Sequence, residues 1–195
     1  MKIIFATNNQ NKVTELKAAL PTAIELITLQ EADIAIDIPE PHDTLEANAI
    51  EKATVIHKLT GTSCFSEDTG LEVKALNGAP GVRSARFAGE TATAQQNIDA
   101  LLGFLKSSAD RSARFRTVIC LILNGNQHLF EGICTGTILN AQTGSGGFGY
   151  DPVFVPDGAQ KSFAQMSLPE KNSFSHRRKA ADKLVAFLNG VALNS

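Results

Sequence analysis

The sequence predicts an α/β fold, with some α+β character, built on one mixed sheet. β-branched and aromatic runs alternate with segments of helical periodicity, a pattern typical of helices packed on a sheet. In the middle of the chain, Asn124-Gly125-Asn126 joins two long strand-like runs, which indicates an antiparallel hairpin. No internal repeat, low-complexity tail or linker divides the chain, so residues 1–195 are predicted to form a single domain.

The first part of the chain predicts alternating strands and helices and one acidic turn. Residues 2–6 are a β-branched run followed by a polar turn and a helical apolar pattern, which predicts strand, turn and helix. Residues 24–29 predict a second strand. Asp43 with Glu46 fits a capping box at the start of the next helix. Two short strands should then flank a tight acidic turn at residues 67–70.

The second part predicts a helix, a long hairpin and a final helix. The expected segments are, in order, a helix at 91–105, strands at 114–123 and 128–139, a glycine-rich stretch at 144–152, a short strand at 153–155 and a polar loop to 175. The final helix should bury the apolar side chains of Ala181, Leu184, Val185 and Leu188.

Composition and charge exclude several classes of protein. The chain has 18 Lys+Arg, 20 Asp+Glu and 43% hydrophobic residues, so neither disorder nor capture of nucleic acid by bulk charge is expected. The apolar runs are far shorter than the roughly 18 residues of a membrane span, and the N-terminus lacks a signal-peptide pattern, which predicts a cytoplasmic protein without a membrane partner. Cys64, Cys120 and Cys134 form no C-x-x-C pair, which predicts buried, reduced thiols.

Two helix starts lack the acidic residues that the positive end of a helix usually attracts. The first helix begins with a turn of amides and Lys12, and the last begins with cations at His176, Arg177 and beyond. A strand-to-helix turn with free N–H groups and a nearby lysine is a candidate phosphate site. Alternatively, Asn8 is a simple cap and Lys12 is solvated, while the cations of the last helix pair with acids elsewhere.

Glu67 and Asp68 are adjacent carboxylates at the end of an apolar run, and Glu40 lies in a loop that could reach them. Because adjacent acids repel, a cation should hold them, and Mg²⁺ suits one or two carboxylates together with substrate phosphates. The alternative is a plain polar turn. No grouping of His and Cys suggests zinc.

The glycine-rich stretch at 144–151 offers backbone freedom for a close approach to a ligand, and Phe148 and Tyr150 offer aromatic faces for a base. Lys171, His176 and Arg177 add hydrogen-bond donors, which suit a carbonyl acceptor such as a purine O6 rather than an amino group. The alternative is that the stretch is only a flexible connection.

Several strings together resemble the inosine triphosphate pyrophosphatase family, whose members hydrolyse non-standard purine nucleoside triphosphates. They occur in the family's order, at residues 5–12, 44–53, 67–73, 78–86, 147–152 and 175–177. The resemblance implies a long mixed sheet with helices in two lobes of one domain, an active site in the cleft between the lobes, Mg²⁺ as cofactor and a homodimer. Glu67 and Thr69 replace the Asp and Ser of many members. Whether Glu67 ligates the metal is therefore left open.

The resemblance also implies a role for each candidate side chain. One set would hold the triphosphate: Thr7, Asn8, Asn9, Gln10, Asn11, Lys12 and Lys52. Another would bind Mg²⁺: Glu40, Asp68 and Glu67. Asp68 would also be the general base for the attacking water, and Thr69 would touch the substrate. The base would be stacked by Phe148, enclosed by Gly149, Tyr150 and Asp151, and read at its 6-oxo edge by Lys171, His176 and Arg177.

The implied reaction is hydrolysis of ITP, dITP and XTP to the nucleoside monophosphate and pyrophosphate, with no nucleic-acid partner. Two alternatives stay open. One is a pyrophosphatase of the other house-cleaning nucleotide family, against which Lys12 and the asparagine-rich first turn argue. The other is a module that binds nucleotides without turnover.

Overall fold

The computed structural model describes residues 1–192, so the last three residues of the predicted domain, 193–195, lie outside the described part. The elements in chain order are β1 (Lys2–Phe5), α1 (Gln10–Ala19), β2 (Glu25–Thr28), α2 (Leu45–Thr60), β3 (Cys64–Val73), β4 (Pro80–Gly81), α3 (Ala94–Phe104), β5 (Ser112–Leu123), β6 (Asn126–Ile138), β7 (Phe154–Pro156), α4 (Leu168–Phe174) and α5 (His176–Ala192). Within this part of the chain, no helix has both the length and the apolarity to cross a membrane.

The sheet has seven strands and mixed direction, as predicted. Its order is β2-β1-β3-β5-β6-β7, and the short β4 pairs with β3 beside this path. β1 is parallel to β2 and to β3, whereas β3 with β4 and β6 with β7 are antiparallel. Asn124 and Gly125 connect β5 to β6 with φ of 51° and 79°, the left-handed conformation that a tight two-residue hairpin requires. The predicted hairpin is therefore confirmed.

The chain divides into two compact units, each with its own core. The first, called unit 1, comprises Met1–Asp68, Thr117–Gly132 and the described chain from His176 onward. The rings of Phe5 and Phe65 stack in its core, with their centroids 4.6 Å apart. Apolar side chains of α1, β5 and α5 complete this core, among them Val13, Leu16, Ile119, Leu121, Ala181 and Leu184.

Unit 2 comprises Thr69–Arg116 and Ile133–Ser175. Its core contains an aromatic cluster in which the rings of Phe115 and Phe154 meet edge to face, with centroids 4.7 Å apart. The apolar face of α3 packs here, as its helical spacing predicted, through Ile98, Leu101 and Leu105. The three cysteines of the two units are all buried free thiols, which confirms that prediction.

The predicted acidic turn at residues 67–70 is wrong, because β3 runs without interruption from Cys64 to Val73. Adjacent acids suggested a solvent-exposed turn, but both carboxylates are buried on the strand. Cations of unit 1 compensate them: Lys12 and Arg177 lie against Glu67, and Lys52 lies against Asp68. A buried acid is tolerated when it is paired with a cation and hydrogen-bonded, so β3 can continue through Glu67 and Asp68.

Two local predictions also need correction. The N-cap of α2 is Thr44 rather than Asp43, since the Thr44 side chain accepts a hydrogen bond from the Ala47 N–H. The stretch expected as a polar loop to residue 175 contains α4, which begins at a capping box formed by Ser167 and Glu170. Serine followed three residues later by glutamate is a helix-start signal, and the short length of α4 concealed it.

Candidate active site

Lys52 lies at the centre of an acidic cluster in unit 1. Its ammonium contacts the Glu40 carboxylate and lies 3.3 Å from Oδ1 of Asp68. Lys52 projects from the buried face of α2, Asp68 is on β3, and Glu40 is in the loop before α2, so three separate segments supply the cluster. Although burial alone would lower the pKa of Lys52, the carboxylates of Asp68 and Glu40 raise it above the ordinary value. The two carboxylates therefore favour the charged form of Lys52.

Asp68 has a raised pKa, for which burial is the largest cause. The neighbouring charge of Glu40 raises it further, and the ammonium of Lys52 partly opposes the shift. A carboxylate that binds a proton more readily than ordinary aspartate is better suited to accept one from water. The physical environment of Asp68 thus matches that of a general base.

A second buried cluster surrounds Glu67. The Arg177 Nε donates to both Glu67 oxygens, at 3.0 and 2.8 Å, and the Lys12 ammonium lies 3.3 Å from Oε1. Arg177 also donates to the Glu15 carboxylate through Nη1. Burial opposes ionisation of Glu67, but Arg177 and Lys12 lower its pKa below the ordinary value. The carboxylates of Glu67 and Glu15 therefore balance the two cations, Arg177 and Lys12, in formal charge.

The first turn of α1 is capped by Asn9. Its side-chain oxygen accepts from the backbone N–H groups of Asn11 and Lys12, at 3.0 and 3.2 Å. Two of the N–H groups that the sequence predicts to be free for phosphate are therefore used by the cap, and a ligand at this turn would meet polar side chains and the Lys12 ammonium. Asn8 is not the cap; its amide donates to the Ile36 carbonyl at 2.9 Å. The exposed Gln10 begins the helix.

In unit 2, Asp151 organises the residues predicted to hold a base. Its Oδ2 accepts from the backbone N–H of Phe148 at 2.9 Å and from the Lys171 ammonium at 2.5 Å. The same ammonium lies 5.0 Å from the centroid of the Phe148 ring, within the range of a cation–π contact. Tyr150 is buried and donates its hydroxyl proton to the Ser84 carbonyl. Gly149 has a φ of 59°, which a side chain would strain.

The predicted site residues thus fall into two groups. Lys12, Lys52, Glu40, Glu67 and Asp68 come together in unit 1, and His176 and Arg177 join them there at the start of α5. Phe148, Gly149, Tyr150, Asp151 and Lys171 lie in unit 2, as does Thr69, which directly follows Asp68 on β3. The roles assigned to these side chains by the resemblance stay predictions.

Sequence reasoning missed two polar residues of unit 1. Glu15 is buried on α1 three residues after Lys12 and bonds to Arg177. Asn48 is buried on α2 four residues before Lys52 and donates to Asp68. Each follows or precedes a candidate lysine at helical spacing, on the side of the helix that carries the apolar stripe. This spacing from a candidate lysine is the sequence signal that could have identified Glu15 and Asn48.

The donor set of the Lys52 cluster fits a hard divalent cation. Glu40 and Asp68 supply oxygen ligands, which Mg²⁺ prefers, and one ammonium leaves one of their two formal charges uncompensated. Among residues 1–192, no group of three or more His, Cys, Asp or Glu side chains could hold a metal by itself. Mg²⁺ commonly takes its remaining ligands from water and substrate phosphates.

The protein is thus a mixed-sheet α/β protein with two clusters of paired acids and cations in unit 1. The chain belongs to the Ham1 family, whose model matches residues 3–187. This match and the relatives described next confirm the resemblance to the pyrophosphatase family that the sequence strings indicate.

Individual relatives match nearly the whole chain. The dITP/XTP pyrophosphatase of Christiangramia forsetii is 50% identical over 189 residues, which cover 97% of this chain and 100% of that relative. The solved structure of the Staphylococcus aureus Ham1 protein has a TM-score of 0.88 at 39% identity, covering 97% of this chain and 99% of that chain. A HAM1 protein from Coxiella burnetii gives a TM-score of 0.89 at 36% identity, with the same coverages. The predicted α/β fold is thereby confirmed.

Proposed function

We propose that the protein hydrolyses the non-standard purine nucleotides dITP, ITP and XTP to the nucleoside monophosphate and pyrophosphate. Relatives that match almost the whole chain are dITP/XTP pyrophosphatases, which supports this reaction over that of the other house-cleaning family. The single structural observation that carries the proposal is the Lys52 cluster, in which the buried carboxylate of Asp68 and the partly buried carboxylate of Glu40 share one ammonium. A nucleotide-binding module without turnover has no need of a buried acid with a raised pKa.

In the proposed reaction, Asp68 accepts a proton from water while the water oxygen attacks the α-phosphorus. The bond from the α-phosphorus to the bridging oxygen breaks, and pyrophosphate leaves with the electron pair. Lys12 and Lys52 are the cations of unit 1 that would stabilise the charge of the leaving group. Lys52 also keeps the Asp68 carboxylate in place, since its ammonium lies 3.3 Å from Oδ1.

Glu40 and Asp68 are the proposed ligands of a Mg²⁺ ion. When bound, Mg²⁺ supplies positive charge that neutralises the triphosphate. Glu67 was a third candidate ligand. Because it already faces both Arg177 and Lys12, we propose instead that it is their counter-ion. In that role it would fix the direction in which the Lys12 ammonium points.

Base selection is assigned to the Asp151 group of unit 2. The Lys171 ammonium offers only donors, one of them to Asp151, so a 6-oxo purine can accept a hydrogen bond from it whereas adenine presents an amino donor instead. A mismatch that leaves a polar group without a partner can discriminate strongly. Phe148, whose backbone is held by Asp151, is the proposed stacking surface. The contributions of His176 and Arg177 to base reading belong to the same proposal.

The test is pyrophosphate release from ITP, dITP, XTP, GTP and ATP, measured with Mg²⁺ and with excess EDTA. We expect rapid release from ITP, dITP and XTP, slow release from ATP, and loss of activity in EDTA. ATP turnover comparable to that of ITP would contradict the proposed specificity. Activity that is indifferent to EDTA would contradict the metal assignment.

A cytoplasmic homodimer is part of the proposal. The three buried free thiols support a reducing compartment. The dimer rests on the family resemblance, and sedimentation velocity tests it directly. A species of twice the 20.8 kDa chain mass is expected, and a monomer at micromolar concentration would contradict it.

A further inference from the structure

Asn48 is a fully buried amide that connects two of the segments forming the Lys52 cluster. Its Oδ1 accepts from the backbone N–H of His42 at 2.9 Å, and its Nδ2 donates to the His42 carbonyl at 3.1 Å. The same Nδ2 lies 3.3 Å from Oδ2 of Asp68. His42 belongs to the loop at residues 37–43, called here the Glu40 loop. One side chain thus touches both the segment that carries Glu40 and the carboxylate of Asp68.

Lys52 repeats this connection one helical turn later. Asn48 and Lys52 are four residues apart on α2 and therefore project from the same face. Asn48 holds the Glu40 loop by its backbone and meets Oδ2 of Asp68, whereas Lys52 contacts the Glu40 side chain and meets Oδ1. The two α2 side chains therefore engage the two oxygens of Asp68 separately. A carboxylate held at both oxygens has little freedom to rotate.

We propose that Asn48 is a positioning residue that fixes the Glu40 carboxylate and the Asp68 carboxylate relative to each other. This inference rests on the proposed function, because it concerns the same two carboxylates. Asn48 acts through Asp68 and the Glu40 loop and not on the substrate itself. It acts by ordering the backbone of the Glu40 loop and by orienting Asp68, so that both sets of oxygens are in place before substrate and Mg²⁺ arrive.

The alternative is that Asn48 only stabilises the fold, as buried asparagines that bond to a loop often do. The chain contains a matched residue with which to separate these roles. Asn97 is buried in unit 2, four residues after the N-cap Thr93, just as Asn48 is four residues after the N-cap Thr44. Its amide accepts from the Ala88 N–H at 2.8 Å and donates to the Ala85 carbonyl at 3.0 Å. It bonds to loop backbone in the same way, but to no residue assigned to the active site.

The experiment compares Asn48→Leu and Asn48→Asp with Asn97→Leu and Asn97→Asp. Asn48→Asp keeps the size of the side chain and the bond from the His42 N–H, so it offers a second route to a folded variant. For each protein, the melting temperature, kcat and KM for ITP, and the Mg²⁺ concentration at half-maximal rate are measured. The last quantity does not depend on the fraction of protein that is active.

We expect both Asn48 variants to need about 10- to 100-fold more Mg²⁺ for half-maximal rate, as is typical when a residue that orients metal ligands is lost. Their kcat should fall more than their KM for ITP rises. The Asn97 variants should lose melting temperature but keep the wild-type Mg²⁺ dependence.

A readout without turnover completes the test. The melting temperature of each variant is measured with an α,β-methylene analogue of ITP, with and without Mg²⁺. Asn48 variants should show a smaller Mg²⁺-dependent increase than Asn97 variants. Equal Mg²⁺ responses in the two pairs, by rate and by melting, would overturn the positioning role. If wild-type protein releases no pyrophosphate from ITP, dITP or XTP, the proposed function fails instead.

Discussion

Among single residues, several charged side chains of this protein are buried and paired with one another. Arg177 is only 2% exposed and has Glu67 and Glu15 as partners. A buried cation has to be stabilised by its partners, because solvent does not reach it. Burial alone would lower the pKa of Arg177, but the charges of Glu67 and Glu15 raise it above the ordinary value. A cation at the start of α5 would ordinarily oppose the helix dipole, and the buried acids Glu67 and Glu15 explain the presence of Arg177 there.

Replacing Arg177 by methionine should therefore destabilise the protein strongly. The substitution leaves the carboxylates of Glu67 and Glu15 buried without this cation, at a cost of about 3–5 kcal/mol in the free energy of unfolding. The next residue provides the control: Arg178 forms a solvent-exposed pair with Asp182. Arg178→Met should change stability by about 0.5 kcal/mol or less. Urea denaturation measures both, and equal effects would show that the Arg177 cluster is unimportant for stability.

Asp68→Asn should remove activity and preserve the fold. The amide cannot accept the proton from water, so kcat should fall by about 10²- to 10⁴-fold. Asn48 and Lys52 would still surround a side chain of the same size. Circular dichroism and pyrophosphate release are the measurements, with the exposed Asp99→Asn on α3 as control. Substantial turnover by Asp68→Asn would exclude Asp68 as the base.

At the scale of elements, β6 and α5 approach so closely that only glycine fits between them. A Cβ on Gly132 would lie 2.0 Å from the His176 carbonyl oxygen and 2.5 Å from the Ala180 nitrogen. Both atoms are backbone atoms and cannot rotate away. Gly132→Ala should therefore destabilise the protein by about 1–3 kcal/mol, the usual cost of overpacking.

The matched substitution at Gly103 should have the opposite sign. Gly103 is within α3, and a Cβ there meets nothing within 4 Å. Alanine removes backbone freedom from the unfolded chain, so Gly103→Ala should stabilise by about 0.4–1 kcal/mol. Thermal unfolding of the two variants is the measurement. If Gly132→Ala and Gly103→Ala lose stability equally, the close contact of β6 with α5 does not explain the loss in Gly132→Ala.

The cap of α4 should make stability depend on pH in the acid range. Hydrogen bonds from the Ser167 backbone and side chain lower the pKa of Glu170 from 4.5 to about 2. The folded state therefore holds the Glu170 proton less tightly than the unfolded state does. The resulting stability is fully present above pH 4.5 and is lost as pH falls towards about 2. Glu170→Gln should lose less melting temperature than wild type between these limits, and equal losses would contradict the assignment.

At the scale of the whole molecule, the chain passes between the two units within three strands. β3, β5 and β6 each begin in one unit and continue into the other. Neither unit is a continuous stretch of sequence, so neither is expected to fold without the other half of these strands. Unfolding should therefore be a single cooperative transition.

Two optical probes can test this cooperativity. Tyr150 is the only tyrosine, the chain has no tryptophan, and Tyr150 is in the core of unit 2. A tryptophan introduced as Leu129→Trp, at a half-exposed position of β6, would report on unit 1. The two probes should give the same midpoint in urea. Separate midpoints would show that the units unfold independently.

Local signals were sufficient for most elements of this fold. The apolar stripe of α2, the Asn124-Gly125 turn and the β-branched run of β1 each reflect interactions within a few residues, so the sequence displays them directly. The course of β3 could not be found this way. Whether Glu67 and Asp68 form a turn or a buried strand depends on Lys12, Lys52 and Arg177, which are distant in sequence.

The α/β class, the family and the identity of the candidate acids, lysines and aromatic residues can all be inferred from the order of residues along the chain. The pairing of those groups is visible only in the folded protein: Arg177 with Glu67 and Glu15, Lys52 with Glu40 and Asp68, and Asn48 with both Asp68 and the Glu40 loop. Hydrophobic periodicity is a property of neighbouring residues along the chain, whereas the pairing of a buried charge depends on which distant segment supplies its partner.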